Sequence, residues 1–442
     1  MLADWVREID EPLDAIAEAI RKPIFFFPLL QDKVSVESGK PMNLVSVLLP
    51  DVQLAREIAR LFQARATYRI GQGNIDGAID DKLAMHRFGR QVMQTGSMVP
   101  YLVGISIEGM ANAIPVGANP EHPLTEQQIR RLLAGLDALP PRVPLTETFE
   151  NERYYVLSFV QDFNAAHTQE GKSFSQWHAD VSAWTGWNSF HRLPFFAIHP
   201  RSINWNVAYR RTNEIYDAAI ISRSQEKYDS IVDEIRNESL WQSFCYLLTP
   251  DGRGTALSKM FTSLLLPATF AFEEAVQRGQ CVENVQRLTL AILLYQCEHG
   301  KLPDDNWAVQ IEPYLGEDAE KYFSCPSNPS PRGETRYMLL QYGDALPANP
   351  HTLLLIELAD SVPFNEAVKS VDELLELVLN QQIVQERREC CGRVTIIDRV
   401  VNGNLNPHNG GGNAGSRSGA AYFLSDSTEK AELLRLLGRE EE

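Results

Sequence analysis

The chain has 442 residues, 44% of them hydrophobic and 22% charged, with 41 Lys and Arg against 58 Asp and Glu for a formal net charge of −17. This length predicts two to four domains with sizeable cores, and the composition excludes disorder over most of the chain. The acidic balance, without a Lys/Arg run, argues against a nucleic-acid partner, whose phosphates require a basic patch, and against an anionic lipid surface.

No segment reaches the roughly 18 to 20 consecutive apolar residues of a membrane span. Ile24 to Leu30 (IFFFPLL) is interrupted by proline and lacks the basic-then-apolar-then-small order of a secretory signal. Val52 to Ile70 carries Leu54, Ile58, Leu61 and Phe62 at helical spacing, and Gly71 to Asn74 breaks it. Ile75 to Met93 follows with Ile79, Leu83, Met85 and Val92, so the two predict a helical hairpin. Ala66, Tyr68 and Ala78 resemble the packing positions of tetratricopeptide-type units, but only one such unit is visible, which predicts an irregular helical array.

Thr125, with Gln128 three residues on, is a capping box opening a helix that Pro140-Pro141 stops. Pro144 to Phe163 predicts another helix, and Asn204 to Ser222 with Ser224 to Arg236 a further hairpin. Thr249 to Gly254 (TPDGRG) has linker composition, so the domain boundary is placed there: a helical array over 1–254 and a second domain over 255–442.

The segment 167–205 concentrates histidine and tryptophan. Trp184, Trp187, His191 and Trp205 are candidates for a pocket that takes a sugar or an aromatic ligand, the alternative being a Trp-rich core. No His pair there has the helical spacing of a metallopeptidase motif. No Gly-x-Ser-x-Gly elbow, dinucleotide fingerprint or complete phosphate loop occurs, so no catalytic or cofactor-binding residue is assigned. The six cysteines include adjacent Cys390 and Cys391, whose spacing does not suit zinc. Asp360 and Asp398 lack the dense oxygen-ligand loop of a calcium site, so no metal is assigned.

Phe261 to Pro303 predicts one long amphipathic helix ending in a turn, and after it the period changes. Tyr337 to Tyr342, Thr352 to Leu358, Arg393 to Val401 and Ala420 to Leu424 have strand character. Asp372 to Leu379 and Glu429 to Leu437 add helices, and Asn409 to Gly419 a glycine-rich loop. The predicted fold class is therefore α+β: a mainly helical N-terminal domain, then one long helix packed on a small antiparallel sheet.

The order of Leu266-Pro267-Ala268, Cys281, Tyr295, His299-Gly300 and Pro303, then Trp307, Phe323, Cys325-Pro326-Ser327, Asp360 to Pro363 and His408 resembles a bacterial pseudopilin-like family. That family is related to type II secretion pseudopilins and is marked by a C-terminal His, nine residues, then Asp-Gly. Here Ser418 stands where the Asp belongs, while Gly419 is kept. The match covers residues 261–426, and it departs from the family in having about 255 other residues where a leader and an apolar helix are expected. The resemblance implies a cell-envelope or assembly role and supplies no reaction.

The expected function is thus a non-enzymatic structural or interaction protein with protein partners, presenting a pseudopilin-like module. The alternative is a carbohydrate- or small-molecule-binding protein or enzyme using segment 167–205. The expected location is the envelope or periplasm if an export segment precedes this chain, and the cytoplasm otherwise.

Overall fold

The computed structural model describes residues 2–23, 25, 50–117, 122–168, 202–222, 246, 248–303, 306–316 and 318–324. Side chains are described for these except at 2, 50, 159, 162–163, 166–168, 218–222, 260–271 and 274, and short stretches between 334 and 425 have a backbone course alone.

The helices in chain order are α1 (Leu2–Ile20), α2 (Pro50–Gly71), α3 (Ile75–Met93), α4 (Met98–Asn112), α5 (Glu126–Asp137), α6 (Leu145–Thr168), α7 (Trp205–Ser222), α8 (Pro250–His299) and α9 (Trp307–Ile311). Local chemistry sets their ends. Gly73, at φ +73°, turns the chain between α2 and α3, and the Asn74 side chain then accepts from the Gly77 amide at 3.0 Å to cap α3. Thr125 and Gln128 form the expected reciprocal capping box at α5. Residues 249–254, expected as a linker, instead start α8: Thr249 accepts from the Gly252 amide at 3.0 Å and Pro250 occupies the first turn. Gly300, left-handed at φ +72°, ends that helix 50 residues later with its amide on the Gln296 carbonyl.

The largest core cluster joins Leu13 of α1, Ala59 and Phe62 of α2, Ile79 and Met85 of α3, Val103 and Ile107 of α4, Ile129 and Leu132 of α5, and Leu290, Leu293 and Leu294 of α8. Another face of α8 buries Val285, Leu288 and Ile292 against Trp307, Ile311 and Phe323; the Trp307 and Phe323 rings meet edge to face at 5.8 Å. A third cluster holds Tyr101 and Met93 against Phe272 and Val276, also of α8. The long helix is therefore enclosed on several sides by helices and helical turns.

This arrangement corrects the α+β expectation. The residues whose side chains are described are 81% helix and 0% strand, and the helix expected to lie on a sheet packs into a helical body. The physical reason is the run Leu288 to Tyr295, buried throughout, which needs cover on more than one side. The predicted strands fall where only a backbone course is described.

Helices α3 and α4 cross closely because Gly89 faces Gly104. A Cβ at Gly104 would lie 2.5 Å from the Gly89 carbonyl oxygen. Gly104→Ala is expected to destabilise the protein by about 1–3 kcal/mol through overpacking, measured by chemical denaturation.

An arginine-lined candidate functional site

Helix α3 places Lys82, His86 and Arg90 four residues apart, on one buried face. Lys82 Nζ donates to the carbonyls of Ala111, Asn112 and Ile114 at 2.8, 3.2 and 3.2 Å, closing the C-terminal end of α4. Complete burial pushes its ammonium down to about 7. Burial also pushes His86 well below the usual imidazole range, and the nearby Lys82 charge acts in the same direction.

Between pH 7 and the ordinary lysine range, the unfolded chain holds a Lys82 proton that the folded chain lacks. Stability therefore rises as pH increases through that window. In wild type, the thermal midpoint is expected to gain from pH 7 to 10 relative to Lys82→Met, whose profile should be flatter. Parallel profiles would contradict this assignment.

Arg90, at the end of the row, reaches a charge network built from five segments. It donates to Glu108 of α4 through Nε and to Glu283 of α8 through Nη2 at 2.6 Å. Arg142, on the link between α5 and α6, donates through Nη2 to Glu108 at 2.8 Å, to the Gly279 carbonyl at 3.2 Å and to Glu283 at 3.2 Å. Arg287 donates to Glu283 one turn earlier at 3.3 Å and to Asp137 of α5. Burial alone would raise Glu283, but the Arg90, Arg142 and Arg287 guanidiniums outweigh it and hold the carboxyl down to about 2.

Above this network lies a cleft of about 810 Å³. Arg90, Arg142, Arg287 and Glu283 line it together with Leu136, Leu139, Pro140, Pro141, Leu315 and Tyr322, and Lys321 and Asp318 stand on it 3.3 Å apart. The Arg287 guanidinium also lies 5.0 Å from the centre of the Tyr322 ring. Arg142 and Arg287 have side chains only 8% and 7% exposed, yet Arg142 Nε and Nη1 and Arg287 Nε have no hydrogen-bond partner among the described residues. The site thus combines an apolar wall with shielded donors in surplus.

The residues singled out from sequence lie elsewhere. Trp184, Trp187 and His191 fall outside the described residues, and Trp205 is buried at the start of α7. Of the family-motif positions, Cys281 is buried within α8, while Tyr295 and His299 stack at 4.1 Å near its end. Gly300 caps that helix and Pro303 is buried just beyond it; Cys325, Pro326, His408 and Gly419 lie outside the described residues. Sequence reading missed Arg90, Glu108, Arg142, Glu283 and Arg287. The usable signals were the basic 82/86/90 row at four-residue spacing on α3 and the Glu283–Arg287 pair one turn apart.

Among the described residues no group of three or more His, Cys, Asp and Glu side chains could hold a metal ion, and no helix is long and apolar enough to cross a membrane. Comparison of the chain with protein-family models, curated proteins and solved structures gives no match.

Proposed function

We propose that this chain is a non-enzymatic binding and interaction protein whose recognition surface is the arginine-lined cleft. The observation that supports this reading is a preformed recess, held by ion pairs from five segments, that keeps N–H groups of Arg142 and Arg287 without partners among the described residues. A network this interlocked fixes the recess before any ligand arrives, which lowers the ordering cost of binding. Envelope association stays part of the proposal and rests on the sequence resemblance over 261–426 alone.

A photo-reactive amino acid placed at Asp318, on the cleft, tests this in native cells. Its expected product is a discrete cross-linked species not formed from the same group at Glu57, an exposed residue of α2. No adduct, or the same adducts from both positions, would overturn the proposal.

A further inference from the structure

The geometry points to an oxyanion, carried by a small molecule with an apolar body, as the ligand of this cleft; the inference rests on the binding role proposed above. Four basic residues line the cleft (Arg90, Arg142, Arg287, Lys321) against three acidic ones (Asp137, Glu283, Asp318), the reverse of the balance in the whole chain. Glu108 lies behind them, and with it acidic and basic residues balance. What decides the ligand class is where the unused hydrogen-bonding capacity remains. Glu283 accepts from three guanidiniums and Glu108 from two, so the two buried carboxylates are paired, whereas Asp137 and Asp318 each meet one cation and are 60% and 80% exposed. Donors remain: Arg142 Nε and Nη1 and Arg287 Nε.

A buried donor without an acceptor is destabilising, and an acceptor bearing negative charge offsets that cost most effectively. A cationic or purely apolar ligand would leave these N–H groups as they are. Lys321, with its side chain 56% exposed, supplies an accessible positive charge beside the recess, and Tyr322, Leu139 and Leu315 provide a surface for the ligand's apolar part. A recess of about 810 Å³ suits a ligand of metabolite size.

The test is isothermal titration of the full chain with inorganic phosphate and, separately, with citrate, against sodium chloride at matched ionic strength. Saturable one-site binding of at least one oxyanion is expected, and the two titrations distinguish a phosphoryl from a carboxylate ligand. Affinity should fall tenfold or more in Lys321→Gln, which loses an exposed ion pair and the ammonium's contact with the Tyr322 ring at 5.0 Å. It should be lost in Arg142→Gln, with folding checked by circular dichroism. If Arg142→Gln does not fold, Lys321→Gln alone decides. No saturable heat, or unchanged affinity in Lys321→Gln, overturns the inference. A cross-link from position 318 without oxyanion binding would remove this inference and keep the binding role, whereas loss of both would remove both.

Discussion

Glu283→Ala is expected to destabilise the fold by about 3–5 kcal/mol, because it leaves the Arg90, Arg142 and Arg287 guanidiniums facing one another without their shared carboxylate. Arg90 and Arg142 would keep Glu108, and Arg287 would keep Asp137, so the loss is partial. Urea denaturation at pH 7 measures it. The acid limb gives an independent signature. With its carboxyl held down to about 2, Glu283 contributes stability that is fully present above the ordinary carboxylate range and is lost as pH falls from about 4.5 toward 2. The difference between wild type and Glu283→Ala should therefore shrink across that window. A difference that stayed constant with pH would mean that packing, and not charge, holds the network.

Arg65→Leu is expected to cost about 3 kcal/mol by the same denaturation. Arg65 is 1% exposed and joins three acidic residues: Asp81 through Nη2 at 2.6 Å, Asp14 at 2.8 Å and Asp10 at 3.2 Å through Nη1. Its removal leaves Asp81, itself nearly buried, with Arg69 at 3.0 Å as its remaining cation. It also removes two of the ion pairs that tie α1 to α2, leaving Arg69 to Asp10 at 3.3 Å, since Asp10 and Asp14 belong to α1. Loss of α1 docking would appear as faster proteolysis within residues 2–20. A variant that lost less than about 1 kcal/mol and kept α1 protected would show that the apolar contacts of Leu13 and Ile20, with the Arg69–Asp10 pair, hold that helix without Arg65.

The local elements were legible because they depend on neighbours in sequence. Asn74 and Thr125 cap where short-range chemistry requires, and the 75–93 helix has the limits its apolar spacing predicts. The cleft was not legible. Arg90 and Glu283 are 193 residues apart, and no periodicity links a cation on one helix to a carboxylate on another. The fold class differs for a related reason: the amphipathic pattern of α8 predicts one apolar face packed on a sheet. Leu290, Leu293 and Leu294 face the N-terminal helices while Leu288, Ile292 and Tyr295 face Trp307 and Phe323. Hydrophobicity on several sides states that a helix is enclosed but not by what. The TPDGRG segment shows the same limit, since Pro and Gly mark a linker or a helix start equally well until the Thr249 cap is placed.

The central claim is that the C-terminal half of α8 belongs to the same cooperative core as α3 and α4, joined through Glu283. Hydrogen exchange of the full-length chain, read by mass spectrometry, tests it most directly. Amides of residues 283–294 are expected to open with the same free energy as those of 82–92 and 103–111, and Glu283→Ala should lower all three together. Exchange of 283–294 at a separate, lower free energy, with 82–92 and 103–111 unaffected by Glu283→Ala, would contradict the account.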